Sequence, residues 1–126
     1  MQVLDKLKYT KEHEWIDAKD DETGVVGITD FAQGELGDVV FVELPNVGDV
    51  FEKDDVFGTV EAVKTVADLY IPVSGKIIEI NENLESVPEL INSSPYEKGW
   101  IVKVELSNPS EVEGLLNSKD YEGLIK

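Results

Sequence analysis

Short β-like runs recur at close spacing along the chain, and Gly, Asn, Asp and Pro separate each from the next. That pattern points to a β sandwich or barrel. The candidate strands are EWIDA (14–18), GVVGI (24–28), DVVFVEL (38–44), VFGTVEAV (56–63), TVADLYI (65–71), KIIEIN (76–81) and WIVKVEL (100–106). Helical signals are few. DFAQGEL (30–36) reads as a short helix with Thr29 or Asp30 as its cap, and VPELIN (87–92) as another with Pro88 in its first turn. Toward the C-terminus, Asn108, Pro109 and Glu111 give the spacing of a capping box, and helices are expected over about 109–125. In the last turn, which starts from Ser118, Tyr121, Leu124 and Ile125 are expected to face inward. The 126 residues read as one domain spanning 1–126, with no linker or low-complexity tract.

Two of these runs meet around Lys64. Side chains alternate along a strand, so Gly58, Val60 and Ala62 share a face, as do Thr65, Ala67, Leu69 and Ile71. The two apolar sets meet if Ala62 pairs with Thr65 or if Val63 pairs with Val66. Either register leaves a two-residue tip within 63–65 that contains Lys64. Val-Lys or Lys-Thr is a poor sequence for such a tip, because two-residue loops commonly need positive φ and favour Asn-Gly. Something beyond local turn preference must hold this bend. A lone lysine at a tip is commonly just a solvated charge. An amine on a stiff post is also what a modifying enzyme needs to select one lysine among 11.

Composition narrows the chemistry. With 27 acidic residues against 11 basic ones, all lysine, the formal charge is -16. So negative a surface repels phosphate backbones, and nucleic acid is not expected as a partner. Partners with basic patches are favoured. The absence of cysteine excludes disulfides, thiolate metal sites and cysteine nucleophiles. No apolar run approaches the ~18 residues of a membrane span, and the N-terminus lacks the core of a signal peptide, so no membrane role is expected. His13 is the only histidine and cannot alone build a metal cluster. HEWID lacks the second histidine of a zinc helix, and no serine lies in a nucleophile elbow. The acidic clusters at 20–22 and 53–55 lack calcium-loop spacing and read as solvated loops. Trp15 and Trp100 read as packing residues.

Four blocks, KYTKEHEW (8–15), GITDFAQGELGDVVFVELPNVG (27–48), VEAVKTVADLYIPVSG (60–75) and INSSPYEKGWIVKV (91–104), resemble the glycine cleavage system H protein family. The likeness runs from about Lys8 to Tyr121. It implies a mainly β barrel-sandwich hybrid, of the lipoyl/biotinyl-carrier type, with short appended helices. It implies lipoate in amide linkage on Lys64, and a non-catalytic carrier that moves the aminomethyl group of glycine. The implied partners are a pyridoxal-phosphate glycine decarboxylase, a tetrahydrofolate-dependent aminomethyltransferase, the FAD enzyme dihydrolipoyl dehydrogenase and the lipoate-attaching enzymes. The implied location is the cytoplasm, or the mitochondrial matrix for a mature eukaryotic form.

The family's sheltering cleft maps onto Glu14, Phe31 and Asp68. Glu14 otherwise reads as an exposed strand carboxylate and Phe31 as core. Ala62 and Ile71 stand where serine is frequent in the family, and Phe31 where tyrosine or histidine often sits. A relay carrier of lipoyl or octanoyl groups shares the scaffold and Lys64 and is the alternative function. A biotin carrier fits less well, since Val63 and Thr65 flank the lysine instead of methionines. An unmodified acidic β-domain that only binds partners is the rival from another class.

Overall fold

The alternating runs fold as antiparallel strands in two sheets. The computed structural model describes residues 2–18 and 20–125; the expected domain span also takes in Met1, Lys19 and Lys126, which lie outside the described residues. The strands are β1 (Lys8–Tyr9), β2 (Glu14–Asp17), β3 (Thr23–Ile28), β4 (Val39–Glu43), β5 (Val50–Phe51), β6 (Val56–Ala62), β7 (Val66–Tyr70), β8 (Gly75–Ile80) and β9 (Val102–Leu106). One sheet has the order β1-β2-β3-β9-β8-β5 and the other β4-β6-β7. The expected mainly β, two-sheet architecture is what the chain forms.

The core lies between the sheets. Val26, Ile77 and Val104 from the larger sheet and Val42, Val60 and Leu69 from the smaller are all buried in one cluster. Period-2 alternation places them there, since the same strands turn Glu43, Glu61 and Glu105 to solvent. Truncating a core residue such as Leu69 to alanine costs about 2–5 kcal/mol. A second, smaller cluster joins Leu7, Tyr9, Trp15 and Tyr121. Trp15 is buried, as its packing role required, and its indole N–H reaches the carbonyls of Ile28 and Pro95 at 2.9 and 3.1 Å.

Helix α1 (Asp30–Leu36) falls where the sequence put it, with the Thr29 hydroxyl accepting the Ala32 N–H as N-cap. The helix expected at 87–92 is instead two single turns, α2 (Asn83–Ser86) and α3 (Leu90–Ser93). Val87 between them has φ -133° and ψ 66°, off the helical region that a residue before proline avoids. The C-terminal segment is a 3₁₀ helix (Pro109–Gly114) followed by α4 (Ser118–Ile125).

The expected capping box does not form. Asn108 makes no cap bond, and Glu111 reaches away to Ser74, accepting its N–H at 2.8 Å and its hydroxyl at 3.0 Å. In α4, Tyr121 is buried as expected, but Leu124 is 45% exposed. The three residues share one helical face, but the helix packs through Tyr121 and the half-buried Ile125, which lies against the smaller cluster, and Leu124 stands at the solvent edge of that face.

Candidate functional site

The site begins at the turn between β6 and β7. Val60 pairs with Ala67 and Glu61 with Val66, and the Ala62 N–H donates to the Thr65 carbonyl at 2.8 Å. Of the two registers open to the sequence, this is the Ala62–Thr65 one. Val63 and Lys64 form the tip, and both are exposed. Among the described residues no salt bridge involves Lys64.

The strain expected at the tip is absent. Among the described non-glycine residues only His13 and Asp54 have positive φ, so Val63 and Lys64 turn the chain without it. Support comes from outside the hairpin instead. Strand β4 pairs with β6, setting Val39 beside Ala62, and the Val63 N–H donates to the Asp38 carbonyl at 3.0 Å. Asp38 and its neighbours are fixed in turn by Asn92 of α3. The Asn92 side-chain oxygen accepts the Val39 N–H at 2.9 Å, and its amide donates to the Gly37 carbonyl at 2.9 Å and to Gln33 Oε1 at 3.0 Å. The sequence did not single out Asn92. Its partners lie 53 to 59 residues away, beyond any local pattern.

Helix α1 brings the lysine to a cleft. It ends at Gly37, whose φ of 80° and ψ of -157° suit glycine alone. The Lys64 stem lies across this glycine: a Cβ there would stand 3.3 Å from Lys64 Cε and 3.8 Å from Nζ. The next residue inward, Leu36, lines a cavity of about 300 Å³ between α1 and β7. Glu14, Phe31 and Asp68, the three residues picked from the sequence, all line it, together with His13 and Ala67. Ala67 is three residues along β7 from Lys64. A larger cavity of about 500 Å³, bordered by Tyr9, Lys53, Tyr70 and Leu115, has no lining residue from the hairpin tip.

Glu14 is not the exposed carboxylate that a strand residue would ordinarily be. It is 2% exposed. The Thr10 hydroxyl donates to its Oε1 at 2.6 Å and the Tyr70 N–H to its Oε2 at 3.3 Å. Burial pushes its carboxyl up to about 7, against the pull of these two donors. Phe31 is half-buried and lines the cleft beside the imidazole of His13, ring centres 4.8 Å apart, and does not join the core cluster. Asp68 is exposed on β7, opposite Thr59 of β6. The cleft thus offers a buried carboxylate, three exposed ones at Glu12, Glu35 and Asp68, and an apolar wall. That combination suits a short cation at the end of an apolar stem.

Sequence reasoning tested His13 only as a metal ligand or a member of a catalytic triad. The structure places it in the cleft wall, its Nδ1 2.8 Å from the Tyr121 hydroxyl. Tyr121 arrives from the far end of the chain, and no local pattern links the two.

Comparison with known proteins points the same way as the geometry. The family model described as "Glycine cleavage H-protein" matches residues 7–126. A glycine cleavage system H protein of Bacillus licheniformis is 53% identical over 126 residues, covering 100% of this chain and 98% of its own. One from Bacillus cereus is 57% identical over 121 residues, covering 96% and 94%. A crystal structure of a glycine cleavage system H protein from Mycobacterium marinum superposes with a TM-score of 0.89 at 40% identity, over 96% of this chain and 97% of that one.

Proposed function

The chain belongs to the glycine cleavage H-protein family, and from that premise we propose that it is the lipoylated carrier of the aminomethyl group of glycine, with lipoate in amide linkage on Lys64. The observation that carries the assignment of the site is the placement of Lys64: an exposed amine at a tip braced by β4 and Asn92, its stem lying over Gly37, next in sequence to Leu36, which lines a cleft that holds a buried carboxylate.

The residues present fit the group. A lysine stem with an eight-carbon acyl chain extends on the order of 15 Å. The six helical steps from Gly37 back to Phe31 span about 9 Å. An arm rooted at Lys64 is therefore long enough to lie along α1 to the cleft wall. When bound, lipoate supplies a disulfide that takes up a one-carbon unit with two-electron reduction. The protein's own residues do the rest. Gly37 leaves room for the stem. Phe31, Leu36 and Leu69 line the cleft with apolar surface that excludes water. Glu14 and Asp68 accept hydrogen bonds from a cationic nitrogen.

The chain, 1–126, acts as one carrier domain and catalyses no step itself. Its partners are the pyridoxal-phosphate glycine decarboxylase, the tetrahydrofolate-dependent aminomethyltransferase, dihydrolipoyl dehydrogenase and the enzymes that attach lipoate. The charge of -16 favours encounter with basic surfaces on these enzymes. Tethering replaces free diffusion of the cargo with a high local concentration. The proposed site of action is the cytoplasm, a reading supported by the bacterial relatives. Among the described residues, no helix is long and apolar enough to cross a membrane.

Loading from labelled glycine tests the proposal. The lipoylated protein, incubated with purified decarboxylase, should take up label from the α-carbon, and the Lys64→Ala protein should take up none. A verified lipoyl form that stays unlabelled would point to the lipoyl relay instead.

A further inference from the structure

Three residues from distant parts of the chain meet at one oxygen. The Tyr121 hydroxyl of α4 lies 2.7 Å from Thr29 Oγ1 and 2.8 Å from His13 Nδ1. Thr29 Oγ1 also accepts the Ala32 N–H at 3.1 Å, as the cap of α1, and the Thr29 N–H donates to the His13 carbonyl at 3.0 Å. The tyrosine ring is held from behind by a stack on Tyr9, centres 4.5 Å apart. The imidazole packs between Phe31 and the edge of Tyr121. His13 is itself set in the left-handed region at φ 70°, a conformation uncommon for a side-chain-bearing residue. The ring is therefore strongly positioned.

The hydrogens in this cluster can be placed. Thr29 and Tyr121 are fully buried, and each hydroxyl hydrogen needs an acceptor. If Tyr121 donated to Thr29, the threonine hydrogen would have no acceptor among the described residues. Both are satisfied only if Thr29 donates to Tyr121 and Tyr121 donates to His13 Nδ1. Nδ1 is then bare, and the proton of the neutral ring sits on Nε2. Burial lowers the His13 pKa, which agrees with a neutral ring. Among the described residues Nε2 has no hydrogen-bond partner and is not a buried unpaired atom, on a residue that lines the cleft.

We propose that His13 is a further binding residue of the cleft, donating its Nε2–H to a sulfur of the lysine-borne arm, and that Tyr121 is the positioning residue that fixes this tautomer. The inference rests on the function proposed above. The other charged groups of the cleft, Glu12, Glu14, Glu35 and Asp68, accept hydrogen bonds when ionised. They suit an ammonium group but have no hydrogen to donate to a sulfur acceptor. His13 supplies the neutral donor they lack. Helix α4, remote in sequence from Lys64, thereby becomes part of the cargo site.

Two readouts test this. In the unmodified protein, long-range ¹⁵N coupling in the His13 ring should report the Nε2–H tautomer, and Tyr121→Phe, which keeps the stack on Tyr9, should shift the ring toward a mixture. In the lipoylated protein, the cargo half-life without an acceptor enzyme should fall about two- to tenfold in Tyr121→Phe and His13→Asn, the effect of one lost hydrogen bond. Asparagine tolerates the left-handed backbone and still offers Tyr121 an acceptor, but it is too short to replace Nε2. His13→Gln, which carries an N–H about as far out as Nε2, should recover most of the half-life. A wild-type ring in the Nδ1–H form overturns the inference whether or not Lys64 loads. So does a His13→Asn protein that loads and holds its cargo as long as wild type. Failure of every form to load, with the tautomer as expected, would count against the proposed function instead.

Discussion

Lys64 lies with its stem against Gly37, and that contact joins the exposed end of the β6–β7 hairpin to the last turn of α1. The two residues are 27 apart in sequence. Their contact sets the tip of one element beside Leu36, the last residue of the other, which lines the cleft. Residue 37 takes a positive φ beside the lysine stem, a conformation that suits glycine.

Gly37→Ala should therefore have two separable effects. The backbone conformation costs an alanine about 1–3 kcal/mol, read as a lower urea midpoint. The stem of Lys64 is flexible and can shift away from the new methyl group, so acylation of the amine by a lipoate ligase should stay within a few-fold of wild type. The seat of the arm along α1 is narrowed, so the cargo half-life should shorten. Unchanged stability would show that the left-handed turn is not held as described.

Asn92→Ala removes three hydrogen bonds at once and leaves the Val39 N–H and the Gly37 carbonyl without their partner. Val39 is 2% exposed, so water cannot substitute freely. The expected cost is about 1–3 kcal/mol. Hydrogen exchange should rise at the amides of Val39 and Val63, which hold the tip to β4. Exchange unchanged at Val63 would mean that the hairpin braces itself.

Glu14 should give the stability curve a recognisable slope. Its carboxyl ionises at about 7 in the folded protein and at 4.5 as an ordinary glutamate. Between these values the folded state keeps a proton that the unfolded chain has released. Its contribution is thus fully present below about 4.5 and lost as pH rises through about 7, amounting to about 3 kcal/mol. Denaturation of wild type and Glu14→Gln across that range should show the wild type losing ground to the variant as pH rises. Cationic cargo paired with Glu14 favours its ionised form, so the loaded protein should show less of the slope.

Much of the scaffold was legible because it rests on local alternation. The runs that became β3, β4, β6, β7 and β8 were placed within a residue or so of their ends, and α1 was placed at 30–36. The two-residue strands β1 and β5 were missed, since two residues carry no period. Glu111 was misassigned because spacing cannot tell a reciprocal cap from a carboxylate drawn to Ser74. For the site, family likeness picked Glu14, Phe31 and Asp68, and the fold brings all three to one cleft. Composition alone could not have buried Glu14. The burial of Tyr121 was legible, but Asn92 and the meeting of Tyr121 with His13 were hidden for one reason: each depends on partners remote in sequence, and only the folded chain brings them together.

The central claim is that Lys64, and no other of the 11 lysines, is the one an attaching enzyme modifies. The direct measurement is peptide mapping by tandem mass spectrometry after incubation with lipoate, ATP and a lipoate–protein ligase. A single lipoyl adduct on the peptide bearing Lys64, with an unmodified intact mass for Lys64→Ala, is the predicted result. An adduct on a different lysine, or none with an active ligase, would contradict it.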